Sequence, residues 1–450
     1  MTTAIAIFDI GKTNKKIFLF DEAYRIVFEK TVVIPEIKDE DGFACEDLAA
    51  LSSFVVNTWH DLAGKKEFDI KAVNFSAYGA SLVFTGKDGM PVSPLYNYLK
   101  PYPPGLLRQF YARYGGEENF AFETASPVLG NLNSGMQLYR IKYENPELFK
   151  KIECAYHLPQ YISHLLCGIS CSDITSIGCH TNLWDFKAHR YHDWVWAEGI
   201  EEKLLPVVPS TQTFPFSYGV KQYKSGIGLH DSSAALIPYL LNFPEPFLLI
   251  STGTWCISLN PFNTQPLSMN ELKNDCLCYL QYNNQPVKAA RLFAGYIHDQ
   301  QVQRIASHFE TDASKYHSLG FNSEIASRIQ VNRGQASLHE CAFEKRDVND
   351  FSSDEEAYHQ LMFDIMNQQY ISTNFVLTKE VKTIFVDGGF SKNEIFMNFL
   401  ASVFPDLKVY ATSMAQASAL GAALAIHGEW NKNPVPADII RLKHFPCIYF

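Results

Sequence analysis

Apolar positions organise the chain from its first residues. In "AIAIFDIGKTNKKIFLFD" (residues 4–21), Ile5, Ile7 and Ile10 lead into the turn "GKTNKK" and the apolar run 17–20 leads out. This predicts two strands joined by a tight turn rich in backbone N–H groups. The pattern recurs in "FLLISTGTWCISLNP" (residues 247–261), where Leu248-Leu249-Ile250 enters, Ser251-Thr252-Gly253-Thr254 turns and Cys256-Ile257-Ser258-Leu259 leaves. An internal repeat of this kind splits the chain into two similar halves. The linker residues "NFPEP" (242–246) place the predicted domains at 1–244 and 245–450. The first half adds strand, loop and strand in "VNFSAYGASLVFTGKDGMPV" (73–92), with Lys87-Asp88-Gly89 as a hairpin turn, and a helix in "YPPGLLRQFYARYGG" that ends at Gly115-Gly116. The second half adds a long helix from about 354 to 378, a buried strand "TIFVDGG", a helix over 393–403, the strand "KVYAT" and a small-residue helix "AQASALGAALAIHG". Alternating strands and helices in both halves predict an α/β class.

At 450 residues the chain exceeds what one core usually serves, so two lobes with a cleft between them are expected. A net charge of -10 argues against nucleic acid or an anionic membrane as partner and for a small soluble ligand. The first residues carry no basic leader pattern and no apolar run approaches membrane-spanning length, which predicts a cytoplasmic protein. The ten cysteines are scattered without a CxxC pair and read as reduced core thiols, and Cys276-Leu277-Cys278 lacks the second pair a zinc site needs.

Four segments carry chemistry. Gly11-Lys12-Thr13 has the tail of a P-loop, but position 6 is alanine and a strand, not a helix, follows. Asp9 at a strand end, beside Gly11, Lys12, Thr13, Asn14 and Lys15, suits Mg²⁺ held through water next to polyphosphate oxygens, or else simply caps its own turn. Thr252-Gly253-Thr254, as the second copy of that turn, suits a clamp on terminal phosphates. "VDGGFSKN" (386–393), with Gly388, Gly389 and Asn393, offers bare backbone before a helix for a nucleobase and ribose. Gly421-Ala422-Ala423 either walls the same pocket or packs a helix closely. In "GLHDSSAAL" (228–236), Asp231 between His230 and Ser232 is either an N-cap or a general base.

These pieces, in this order, resemble the FGGY family of carbohydrate kinases over essentially the whole chain, and "HDSSAA" followed by "STGTW" is most similar to its rhamnulokinase branch. The resemblance implies two RNase H-like domains of the actin, sugar-kinase and heat-shock ATPase type closing over ATP and a sugar. It makes Asp231 the base that deprotonates a sugar hydroxyl, Asp9 the Mg²⁺ ligand, residues 11–15 and Thr254 phosphate contacts, and Gly389 an adenosine contact. Gln300 in "RLFAGYIHDQQ" matches a nucleotide-side glutamine of that branch, and His230 and Ser232 would touch sugar. Departures cluster in the sugar segments. "LYNYLKPYPP", with Asn97 and Lys100, stands where relatives carry Asp-x-Arg; "SAYGAS", spanning Ser76, Tyr78, Gly79, Ala80 and Ser81, stands where the branch carries two carboxylates; and Gln160 replaces an aspartate. Tyr78, Asn97 and Tyr98 are expected to make the altered contacts.

The expected activity is ATP-dependent phosphorylation of a ketose or deoxyketose such as rhamnulose or fuculose. A catalytically silent sugar or nucleotide sensor, or an actin-like ATPase, would use the same fold. The composition permits a homodimer and locates no interface.

Overall fold

The computed structural model describes residues 1–329, 337–414 and 416–448. Ala415, the first residue of the predicted small-residue helix, lies outside them. The chain forms two compact units. The first comprises Met1–Asn242, Cys278–Pro286 and Ala415–Ile439, and the second Phe243–Leu277, Val287–Met414 and Ile440–Phe450. The division at 244/245 had assigned 278–286 and 415–439 to the second half. Their packing explains the difference: Cys278 N–H donates to Ala125 O at 2.9 Å, Ser233 Oγ donates to Leu280 O at 3.0 Å, and Leu280 closes a cluster with Ile174, Ile177 and Trp184.

In the first unit the strands order as Thr213–Tyr218, Lys221–Gly226, Phe68–Ala77, Thr2–Ile10, Lys15–Asp21 and Ile26–Val32, and Leu229–His230 also pairs with Phe68–Ala77. Thr2–Ile10 runs antiparallel to Lys15–Asp21 and parallel to Phe68–Ala77. In the second unit Pro286–Leu292, Cys256–Asn260, Phe247–Thr252, Thr383–Gly388, Lys408–Ser413 and Arg441–Phe445 follow one another, and Phe247–Thr252 is again antiparallel to its hairpin partner and parallel to Thr383–Gly388. The repeat seen in the sequence is thus a repeat of topology. In each unit the hairpin's first strand has antiparallel neighbours on one side, Lys15–Asp21 then Ile26–Val32 in the first and Cys256–Asn260 then Pro286–Leu292 in the second, and two successive parallel strands on the other, Phe68–Ala77 and Lys221–Gly226 or Thr383–Gly388 and Lys408–Ser413.

Thr2–Ile10 reads as a run rather than an alternation because both of its faces are covered. Ala4, Ala6, Phe8 and Ile10 pack with Leu51, Val55 and Trp59 of helix Leu48–Ala63 and with Tyr161 and Ile162 of helix Leu158–Cys167. Ile5 and Ile7, on the other face, are equally buried. Helices Asp231–Asn242 and Ala417–Ala425 cross at backbone contact, for a Cβ on Gly421 would lie 1.8 Å from Ala234 O. Close packing therefore accounts for Gly421-Ala422-Ala423, and Ala422 O also accepts from the buried Asn74 Nδ2 at 2.8 Å.

The expected helices appear as Pro104–Arg113, Asp354–Val376 and Glu394–Val403. Lys87-Asp88-Gly89 turns as predicted, with Gly89 at φ 76°, but the return after it is an isolated Thr85–Pro91 bridge. Strand Leu82–Thr85 pairs instead with Cys154–His157. No helix among the described residues is long and apolar enough to cross a membrane.

Candidate functional site

The first hairpin closes with Gly11 N–H donating to Asn14 O at 2.9 Å, leaving Thr13 and Asn14 exposed at the tip. Side chains then alternate between the two faces. Lys15 points inward: it is 1 % exposed, ion-paired to the equally buried Glu46, and donates to Lys12 O at 2.9 Å. Lys15 was expected at phosphate, and here it anchors the hairpin. Lys12 is a quarter exposed and pairs with Glu36 at 2.6 Å. Glu46 accepts the Tyr78 hydroxyl at 2.9 Å, so the phosphate-type turn and the predicted substrate residue share one buried carboxylate.

Asp9, opposite Lys16 in the hairpin register, accepts the Ser418 hydroxyl at 3.0 Å on both oxygens. Burial, then repulsion from Asp231, pushes its carboxyl up to about 6, while Ser418 and Lys16 pull the other way. Lys16 Nζ donates to Gln416 Oε1 at 3.3 Å, beside Ser418. Asp9 is therefore more than a cap on its own turn.

Asp231 is the first residue of helix Asp231–Asn242, not the residue before it. Its carboxylate accepts from Ser232 N–H at 2.6 Å and Ser232 Oγ at 3.3 Å, which orients it without the reach to the following turn that an N-cap makes. Burial raises its pKa to about 6, although the carboxylate keeps a third of its surface open. That combination is the tuning expected of a base working near neutral pH. His230 Nε2 lies 3.3 Å from Asp231 Oδ1 and 3.1 Å from Cys179 Sγ. Burial lowers the His230 pKa to about 4, so the ring is neutral beside the carboxylate. The His230 ring also packs on Gly79, where a Cβ would come within 2.9 Å of it, and Ala80 follows at φ 60°. Tyr98 stacks edge-on against Tyr78 at 6.2 Å and is close enough to Asp231 to feel its charge. Asn97 is engaged in its own turn, donating to Ala44 O at 3.1 Å and accepting from Leu99 N–H at 3.0 Å. Lys100 is held by Asp39 at 2.6 Å and Asp41 at 2.7 Å.

In the second unit, Gly253 and Thr254 are exposed at the tip of the matching hairpin. The tip rests on the start of helix Ala294–His308, where Gly295 has no room for a Cβ, 1.9 Å from Gly253 O. Thr252 is buried and internal: its hydroxyl donates to Asp387 O and accepts from Phe390 N–H at 2.9 Å, and its carbonyl accepts from Gly389 N–H at 2.9 Å. These bonds fix the Gly388-Gly389 turn, whose glycines are exposed, with open space over Gly389. Asn393 is engaged on both sides of its amide, capping Phe396 N–H at 2.9 Å and donating to Tyr358 Oη at 2.7 Å. Gln300 is exposed on helix Ala294–His308.

The model of the N-terminal domain of the FGGY family of carbohydrate kinases matches residues 4–231, and the carbohydrate kinase FGGY C-terminal domain matches residues 244–434. The chain belongs to the FGGY family of carbohydrate kinases. Within the FGGY family, a curated relative is a rhamnulokinase of Halalkalibacterium halodurans, 25% identical over 184 residues, which are 39% of this chain and 37% of the relative. Among solved structures, a carbohydrate kinase from Novosphingobium aromaticivorans superposes with a TM-score of 0.79 at 19% identity, covering 99% of this chain and 94% of that one. A ligand-bound xylulose kinase from Lactobacillus acidophilus gives 0.79 at 17% identity, with coverages of 99% and 94%. Plasmodium falciparum glycerol kinase with ADP gives 0.75 at 16% identity, covering 95% and 90%. At these identities the likeness is one of fold, the two-domain α/β fold that the sequence pattern predicted.

In this FGGY chain the first unit brings together Asp9, Tyr78, Gly79, Ala80, His230, Asp231 and Ser232. Sequence reasoning missed Glu46 and Ser418, which hold Tyr78 and Asp9. Ser418 is 409 positions from its partner and sits among small residues with no local mark of a role.

Proposed function

We propose that the chain transfers the terminal phosphoryl group of ATP to a hydroxyl of a monosaccharide, a ketose or deoxyketose such as rhamnulose or fuculose, with Asp231 as general base. The observation that carries this reading is Asp231 itself: a carboxylate oriented by Ser232, raised to about 6 by burial, and flanked by His230 and the Gly79-Ala80 turn. Such a group is ionised at neutral pH yet basic enough to take a hydroxyl proton as the oxygen attacks. Phosphoryl transfer otherwise depends on positioning and charge neutralisation. The exposed tips at Thr13-Asn14 and Gly253-Thr254 would supply N–H groups and hydroxyls to phosphate oxygens, and the open backbone at Gly389 would receive the adenosine. The rhamnulokinase relative and the ADP named with the glycerol kinase support the same reading.

The donor set at Asp9 suits Mg²⁺: a carboxylate beside the Ser418 hydroxyl, in surroundings that disfavour its negative charge and that a cation would relieve. An ion there would be held by one carboxylate through water and by substrate phosphates. Bound there, Mg²⁺ would neutralise charge on the phosphates.

The test is ADP release with Mg-ATP across rhamnulose, fuculose, xylulose, ribulose, their parent aldoses and glycerol, with mass analysis of the product. A phosphorylated sugar formed in step with ADP is expected. ATP hydrolysis of equal rate with and without any sugar would contradict the proposal.

A further inference from the structure

The Gly79-Ala80 turn beside Asp231 is ringed by buried polar side chains whose hydrogen-bonding capacity is unmet. His157 pairs in register with Leu82, and the next residue's N–H donates to Ser81 O at 3.3 Å. It stands at the N-cap position of helix Leu158–Cys167 yet caps nothing, and both of its ring nitrogens are buried without a partner. His230 Nδ1 is in the same condition, as are the amide oxygens of Gln137 and Gln160. The orientation of both amides is fixed by their other ends. Gln137 Nε2 donates to Ala80 O and Asn131 O, both at 2.9 Å, and Gln160 Nε2 donates to Gly228 O at 2.7 Å. All four side chains are 5 % exposed or less. Orphaned buried polar atoms are rare in a folded chain, and a cluster of them around one turn calls for an occupant.

We propose that His157 and Gln137, with His230, bind the hydroxyl groups of an uncharged sugar at this turn. The inference deepens the phosphoryl-transfer reading and rests on it. The chemistry of the unmet atoms selects the class of ligand. A neutral imidazole offers one donor and one acceptor, which is what a hydroxyl complements. Burial and the neighbouring His230 keep the His157 ring neutral, with a pKa of about 4. The amide oxygen of Gln137 can only accept, so the ligand must donate to it, which a hydroxyl does and a carboxylate cannot. None of His157, Gln137 and His230 brings a positive charge, His157 and His230 being held neutral by burial, so an aldonate gains no counter-charge from these groups, whereas a ketose or polyol needs none. Hydroxyl recognition through carboxylates and arginine, missing from the sugar segments of this sequence, is thereby replaced by neutral groups.

The experiment compares wild type, His157→Phe and His157→Asn in the full chain, using the sugar with the highest turnover or, failing turnover, the one giving the largest thermal shift. For His157→Phe we expect KM or Kd to rise about tenfold to hundredfold, with kcat within a few-fold. The sugar-free melting temperature should be unchanged or higher, because no protein partner is lost. His157→Asn should recover part of the affinity. The wild type should bind a ketose at least about tenfold more tightly than the corresponding aldonate. An unchanged KM in His157→Phe would mean that ordered water alone satisfies these nitrogens, and a lower sugar-free melting temperature with unchanged KM would make the residue structural. Either result, or preference for the aldonate, overturns the inference. Should the phenylalanine variant fail to fold, the asparagine variant decides by the same KM comparison. Sugar binding lost in His157→Phe, in a protein that releases no ADP, would remove the phosphoryl-transfer reading and keep this one. Turnover untouched by the substitution would do the reverse, and a wild type that binds no sugar removes both.

Discussion

Glu46 ties the Lys15 turn to Tyr78 in the first unit, and its removal should destabilise the fold. One oxygen holds Lys15 and the other accepts the Tyr78 hydroxyl at 2.9 Å with Lys12 Nζ at 3.7 Å, and Lys15 and Glu46 are 1 % and 2 % exposed. Glu46→Leu would strand the Lys15 ammonium with a single backbone acceptor, Lys12 O. Breaking a buried pair from one side costs about 3–5 kcal/mol. Lys15→Met leaves Glu46 with Tyr78 and Lys12, so its cost should be smaller, about 1.5–3 kcal/mol for a charge-assisted bond. The double variant removes both charges, so its loss of stability should fall short of the sum of the two single losses by roughly 2 kcal/mol. Urea unfolding followed by tryptophan fluorescence, at constant slope, gives the cycle. Two single variants each within about 0.5 kcal/mol of wild type would refute the reasoning. So would a Lys15→Met protein of normal stability that had lost only ATP affinity, the result expected if Lys15 were a phosphate ligand.

Two further predictions follow from geometry and charge. Gly388 sits at φ 82° with its Cβ direction 1.9 Å from Thr252 O, so Gly388→Ala should cost about 2–4 kcal/mol from strain plus overpacking; a melting temperature equal to wild type would contradict it. Because Asp231 must be ionised to accept a proton and burial raises it to about 6, kcat/KM should climb with pH through about 6 and then level, more steeply if Asp9, also near 6, must be ionised too. An acid limb centred near 4, the ordinary carboxylate range, would show that the base is an unperturbed group.

The parts of the fold that could be read in the sequence are those with local causes. Two glycine-centred turns between apolar runs announce the repeated hairpins, because strand pairing across a short turn is fixed by neighbours in sequence. Gly421 marked a close approach, but its partner Ala234 could not be named, since nothing near either residue encodes the crossing. The roles of consecutive lysines turned on register: with Ile10 opposite Lys15, one side chain goes to Glu46 and the next toward Gln416. Asp231 reads from sequence as either cap or base; the helix starts at that residue and its carboxylate accepts from Ser232, which removes the cap and leaves the base as the proposal. Thr252 and Asn393 have the residue types of ligand contacts, yet their polar atoms are engaged by Asp387, Phe390, Phe396 and Tyr358 from distant or adjoining segments. Sequence showed chemistry at these positions but not its direction.

The most direct test of the central claim is sugar-dependent ADP release by wild type and Asp231→Asn, with ATP binding measured on both proteins. A phosphorylated sugar is expected from wild type and a loss of about 10² to 10⁴-fold in turnover for the variant, with ATP affinity largely kept. Near wild-type turnover in Asp231→Asn would remove Asp231 as the base, and tight sugar or ATP binding without turnover in the wild type would make the protein a sensor built on a kinase fold.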